Sequence, residues 1–233
     1  MSLTQAAIDE IKGMIVRGEL RPGDRLPKET ELAARLGLSR GSLREAVRGL
    51  ALVHVLEVRQ GDGTYVTSLE PDLLLRSLSF FTELHQDATL QQVLEARRML
   101  EAGAAALAAH AATADELATL HRLVDEMGEC ADVEAFVEND LEFHRVIAKA
   151  SRNDVVVALL ENLSSRTTRA RVWRGISDAR ANDRTIEEHR AIYRALAARR
   201  ADVASALITG HIAGVEFWLQ SADDDEIADA AET

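Results

Sequence analysis

Three prolines are all that this 233-residue chain contains, and the last of them is Pro71. The long remainder has no residue that must break a helix, and Ala, Leu, Glu and Arg fill it, which predicts nearly continuous helix. Cysteine is reduced to Cys130, so no internal disulfide forms and a reducing cytoplasm is the expected compartment. No apolar run approaches the ~20 residues that cross a bilayer, and the N-terminus lacks a signal-peptide core. Internal repeats and low-complexity linkers are also missing. What remains is a globular composition, 47% hydrophobic and 28% charged, enough for a sizeable core.

An excess of positive charge is missing too. The net charge is −12, but it is unevenly spread. Residues 1–67 hold 10 Lys+Arg and 9 Asp+Glu, a net of +1, and the rest holds 17 and 30, a net of −13. The acidity belongs to the C-terminal part, so nucleic-acid binding by the N-terminal part stays open wherever its basic residues share one face. Prolines and charge together predict a small domain at 1–68, an all-helical domain at 72–222 and an acidic, disordered tail at 223–233.

The helical part carries four polar residues where apolar ones are expected. Val133, Phe136, Val137, Leu141, Ile147 and Ala148 recur at helical three- and four-residue steps, and Asp140 and His144 fall on the same stripe. Ile186, Ile192, Tyr193 and Leu196 set a second stripe that includes His189; Leu207, Val215 and Trp218 set a third that includes His211. A hairpin turning near Arg200 brings these two histidines to matching depth, since each lies eleven residues from it. Three imidazoles and a carboxylate converging in a bundle core suit a divalent cation such as zinc, with nickel or manganese as other candidates. The competing reading makes each histidine a core residue satisfied by a hydrogen bond.

The N-terminal part reads as helix 4–17, a Pro-Gly turn in LRPGDRLP, helix 28–36, Gly37 as C-cap, Ser39 as N-cap, and helix 40–52. Strands at 55–58 and 64–66 flank the tip RQGDG. Helix, short glycine turn, helix and two-stranded wing make a winged helix-turn-helix. Arg40, Arg44 and Arg48 share the face opposite Leu43, Val47 and Leu50. Elsewhere such a stripe reads as solvated surface; here it reads as a DNA-contacting face, since the guanidinium fork suits guanine edges and phosphate. The fold class expected is mainly α, this head followed by an all-α helical bundle.

The segment from Pro27 to Leu50, PKETELAARLGLSRGSLREAVRGL, with VRQGDGTYV from Val58, resembles the winged helix-turn-helix of the GntR family of bacterial transcription regulators. The pattern EARRMLE from Glu95, DLEFH from Asp140, then His189 and His211, resembles the FCD effector domain of its FadR subfamily, and residues 72–84 resemble the longer, seven-helix variant. The resemblance implies a homodimeric, cytoplasmic regulator, usually a repressor, that binds a palindromic double-stranded operator and answers to a small organic acid. It implies DNA contact at Ser39, Arg40, Gly41, Ser42 and Arg44, with Gln60 and Gly61 at the wing. Two positions depart from the pattern. Thr30 stands where many members have Arg, which leaves one DNA contact either missing or moved to Arg35 or Lys28. His54 stands where many have Gly, which leaves the local turn in question.

Arg97 lies on an apolar stripe of Leu90, Val93, Leu94, Leu100, Ala104 and Leu107, and an inward arginine needs an anion. That anion is either a structural partner, Glu101 or Asp140, or, as the resemblance implies, the effector's carboxylate beside the metal. A metal-dependent enzyme using the His3Asp set is the alternative function. It lacks a second inward acid or base, because His54, His85, His110 and His121 fall outside the motif, and it gives the winged helix no task.

Overall fold

The structure, a computed structural model, describes residues 2–75, 90–177 and 180–231. The chain divides into two compact units, Met1–Phe81 and Thr82–Thr233. Among the described residues no helix is long and apolar enough to cross a membrane.

In the first unit, α1 (Leu3–Val16) is capped by the Ser2 hydroxyl and buries Ala7, Ile11 and Met14. Helix α2 (Glu29–Leu36) stops because Gly37 adopts φ 65°, the left-handed cap that glycine adopts without strain. Ser39 then caps α3 (Arg40–Leu52) by accepting from the Ser42 amide at 3.0 Å. Strands β1 (Leu56–Arg59) and β2 (Gly63–Val66) pair antiparallel, Leu56 opposite Val66 and Arg59 opposite Gly63, with Gly61 at φ 77° in the tip. Ile11, Leu32, Leu43, Leu50, Leu56 and Val66 close one core over these elements. The Pro-Gly turn does more than reverse the chain. Leu26 donates its amide to the Thr64 carbonyl at 2.8 Å and Gly23 to Val66 at 2.9 Å, so this segment flanks β2.

His54 takes the left-handed backbone that glycine adopts most readily. Its φ is 59°, a conformation costing a non-glycine residue about 1–2 kcal/mol. Its carbonyl accepts from the Thr67 hydroxyl at 2.7 Å, which fixes the turn into the wing.

The second unit contains α4 (Leu90–Ala111), α5 (Ala114–Met127), α6 (Val133–Ala150), α7 (Asp154–Ser177), α8 (Ala181–Ala197) and α9 (Ala201–Ala231). Thr113 and Glu116 form a capping box at α5, and Asp132 caps α6. The α8–α9 hairpin turns at Arg199, φ 58°, where the sequence places it. Leu94, Leu120, Phe143, Ile147, Ile192, Leu196, Ile208 and Ile212 build the shared core. Arg98 Nε lies 3.1 Å from Glu216 Oε1 and Arg199 Nη1 donates to the Ala109 carbonyl at 3.2 Å, so α4 and α9 run side by side in opposite directions.

The tail read as disordered continues α9 as far as Ala231, since nothing in its Ala-, Asp- and Glu-rich sequence breaks the helix. Leu107, assigned to the buried stripe of α4, is 47% exposed; its register lies at the stripe's outer edge. Of the segment 72–84, residues up to 75 are helical and the rest lies outside the described residues.

Candidate metal centre and nucleic-acid interface

Asp140, His144, His189 and His211 meet in the bundle core as the sequence spacing predicts. All four are buried, and one donor atom from each lies within 4.8 Å of every other. Helix α6 supplies Asp140 and His144 from adjacent turns, α8 supplies His189 and α9 supplies His211. Asp140 Oδ1 is 3.3 Å from His189 Nε2 and 3.6 Å from His144 Nε2. The His189 ring stacks on Phe143, centroids 4.0 Å apart and 13° from parallel, which holds its edge toward the cluster. The donor set fits a divalent ion. Donors around a tetrahedral zinc ion sit about 3.4 Å apart, close to the 3.3 and 3.6 Å contacts of Asp140, and the wider separations, up to 4.8 Å, close by side-chain rotation.

Two carboxylates stand behind the histidines. Glu101 Oε2 lies 2.5 Å from His144 Nδ1, and Glu188 Oε2 lies 2.6 Å from His211 Nδ1. A carboxylate at Nδ1 fixes the ring and leaves Nε2 as the donor to an ion. Arg97 is fully buried and faces the other oxygen of Glu101, Nε at 2.8 Å and Nη2 at 2.6 Å, while its Nη1 donates to Thr167 at 2.7 Å. The structural partner named for Arg97 from the sequence, Glu101, is therefore its partner in the fold.

In the first unit, Ser39, Arg40, Gly41, Ser42 and Arg44 lie on the first turns of α3, with Arg40, Gly41 and Arg44 exposed. Gln60 and Gly61 occupy the exposed wing tip. Arg44 is paired with Glu29 at 2.9 Å, Arg48 with Glu45 at 3.1 Å, Arg35 with Glu19 at 3.0 Å and Arg59 with Glu57 at 2.8 Å. A groove of about 420 Å³ between α3 and the wing is lined by Arg25, Lys28, Arg44 and Arg48. Arg25, not singled out from the sequence, also donates to the Asp62 carbonyl and so tethers the wing tip.

Comparison with known proteins accounts for both units. Residues 3–66 match the bacterial regulatory proteins of the gntR family, and residues 92–214 match the FCD domain. The chain is 35% identical over 213 residues to the HTH-type transcriptional regulator LutR of Bacillus subtilis (strain 168), covering 88% of this chain and 96% of that one. It belongs to the gntR family. The galactonate operon transcriptional repressor of Escherichia coli (strain K12) is 29% identical over 214 residues, with 88% and 91% covered. Among solved structures, Streptococcus agalactiae GntR superposes with a TM-score of 0.66 at 30% identity, covering 92% of this chain and 99% of that one. This gntR-family chain is thus a DNA-binding transcription regulator with an FCD domain, and the enzyme alternative falls.

The FCD domain offers room beside its donor cluster on two sides. A cavity of about 300 Å³ is lined by Glu101, Leu141, His144, Leu160, Glu161 and Ser164. A pocket of about 30 Å³ touches Asp140, Thr185, His211 and the buried Arg174. Glu188 and Arg174 were not found from the sequence. Glu188 is partly exposed and sits off the apolar stripe of α8, and Arg174 lies on a helix whose pattern shows no clear apolar face.

Proposed function

We propose that this gntR-family regulator is a cytoplasmic, homodimeric repressor of a metabolic operon, with a head at 1–68 that reads a palindromic operator. Its FCD domain would hold one divalent ion through Asp140, His144, His189 and His211, and a small hydroxy- or oxo-carboxylate would bind there as effector. The observation that carries the reading is the four-donor cluster, buried and convergent, in a chain whose other unit is a winged helix-turn-helix. A bound ion would supply a Lewis-acidic position for a carboxylate oxygen. The cavity of about 300 Å³ reaches His144 and has space for a small acid. One relative is named for a galactonate operon, and galactonate is a hydroxycarboxylate.

Arg97 is the residue proposed to meet the effector carboxylate. Because Glu101 already occupies its guanidinium, a ligand would reach Arg97 by displacing that side chain, which would also loosen His144. At the head, Ser39, Arg40, Gly41, Ser42, Arg44 and Arg48 would meet one major groove, with Gln60 and Gly61 following the backbone and Arg35 or Lys28 replacing the contact that Thr30 lacks. A ligand shifts operator affinity only by favouring one arrangement of the protein, and operator then shifts ligand affinity by the same factor.

The test is a screen of organic acids on metal-loaded wild type and on Arg97→Ala, read by operator binding. The expected result is an acid that releases wild type and requires a higher concentration to release Arg97→Ala. Equal concentrations would remove Arg97 from the site, and an acid that binds without changing operator affinity would remove the sensing role.

A further inference from the structure

The wing ends in a tip with no apolar anchor. Arg59, Gln60, Gly61 and Asp62 are all exposed, and the strands on either side have four residues each. A hairpin of that size does not hold one shape by itself. Through one face, Leu56 and Val66 pin its base to the core of the head. The opposite face carries Glu57 and Arg59 across from Tyr65 and Gly63.

Arg25 lies over that opposite face. Its backbone bridges to Tyr65 beside β2, and its side chain runs on to the tip. Nη2 donates to the Asp62 carbonyl, Nη1 comes within 3.9 Å of Asp62 Oδ1, and the guanidinium carbon stands 6.0 Å from the Tyr65 ring centroid. Tyr65 completes the set. Its hydroxyl donates to Asp62 Oδ2 at 2.9 Å, and the Arg59 guanidinium covers its ring at 4.3 Å. The exposed ion pair adds little in water. The charge-assisted bond to the carbonyl and the ring contacts supply the hold.

Gly63 is an independent sign. It has no positive φ, so its backbone does not call for glycine. A Cβ built there would lie 2.5 Å from Arg25 Nε and 3.0 Å from Arg25 Nη2. The missing side chain leaves the lane through which Arg25 reaches the tip.

We propose that Arg25 is a positioning residue for DNA reading, fixing the wing tip in the shape in which Gln60 and Gly61 meet the duplex. The inference rests on the wing contact proposed above and adds the residue that shapes it. Arg25 acts through Asp62 and Tyr65, not by touching a base. A tip that is ordered beforehand loses little freedom on binding, so affinity falls when the tip is released.

The experiment uses the full chain. Amide hydrogen exchange and operator affinity at fixed salt are measured for wild type, Arg25→Ala, Arg25→Lys, Gly63→Ala and the double variant Arg25→Ala/Gly63→Ala. In Arg25→Ala the amides of residues 60–64 are expected to exchange at least about 10-fold faster, with α1 and α3 unchanged, and operator affinity to fall about 10-fold. Arg25→Lys keeps the charge without the fork and is expected to restore neither. Gly63→Ala closes the lane and is expected to match Arg25→Ala, which keeps the test decisive if Arg25→Ala fails to fold. The double variant is expected to be no worse than Arg25→Ala, because the added methyl matters only where Arg25 is present. Tip protection that stays at the wild-type level in Arg25→Ala, or faster exchange throughout the head, overturns the proposal. Operator affinity restored by Arg25→Lys overturns it in favour of a direct phosphate contact, and additive losses in the double variant overturn the lane at Gly63. Fast tip exchange with unchanged affinity overturns the wing contact at Gln60 and Gly61, and the inference with it.

Discussion

Oε2 of Glu101 lies 2.5 Å from Nδ1 of His144. Through its other oxygen the same carboxylate holds Arg97, so the arginine and the donor cluster are two ends of one buried chain of contacts. Glu101 neutralises one and orients the other.

Glu101→Gln is therefore expected to weaken metal binding about 10–100-fold, the usual effect of removing an outer carboxylate. Glu188→Gln acts on His211 and should weaken it less, because Glu188 is 38% exposed and Glu101 only 5%. Competition titration with a chromophoric chelator measures both. Wild-type affinity in Glu101→Gln would show that His144 is positioned without it.

If the site holds an ion as proposed, stripping it should lower the melting temperature, because four donors on three helices would clip α6, α8 and α9 together. Free ion at a hundred times its Kd adds about 2.7 kcal/mol, on the order of 5–10 °C for a domain of this size. Differential scanning fluorimetry with and without chelator reads the shift. His144→Ala together with His211→Ala should show no chelator-dependent shift, and a shift that persists in the double variant places the ion elsewhere.

Arg40→Ala and Arg44→Ala should each lose about 1–3 kcal/mol of operator affinity at fixed salt if each reads a base through its fork. Unchanged affinity in both variants would take α3 out of the groove. Equal loss on operator and on unrelated DNA would reassign the contact to phosphate.

Acid sensitivity is expected at the α5 capping box. Arg152 grips Glu116 through two contacts, Nη1 to Oε1 at 2.6 Å and Nη2 to Oε2 at 2.7 Å, which pushes the Glu116 carboxyl down to about 2 from its ordinary 4.5. A lowered folded pKa stabilises the fold above the ordinary range, and that contribution is lost as pH falls from about 4.5 to about 2. Melting curves of wild type and Glu116→Gln should differ at pH 7 and converge as pH falls toward about 2. A gap that stays constant with pH would assign the effect to packing.

Much of this molecule is legible from residue spacing alone. Gly37, Ser39 and the apolar stripes place the helices of the head because caps and periodicity are local signals. Asp140, His144, His189 and His211 stand out because polar residues interrupt an apolar stripe. Glu188 gives no such signal: its register points partly outward, and only the fold brings it to His211. Leu107 misleads for the opposite reason, since an apolar residue at the stripe's edge reads as core until the neighbouring helix is in place. The pairing of the Pro-Gly turn with β2 joins segments about forty residues apart, which no local pattern encodes.

The ion pairs of the head have a bearing on how the protein finds its target. Arg35, Arg44, Arg48 and Arg59 each hold a glutamate on their own surface, while Arg40 has no carboxylate partner among the described residues. Arbitrary DNA must therefore compete with built-in anions for nearly every guanidinium it touches, and the exchange of one weak exposed pair for another gains little. If Arg40 and Arg44 read bases as proposed, a duplex that offers them base edges would repay the exchange. Such a head would spend less time on the wrong sequence and would depend less on salt to let go.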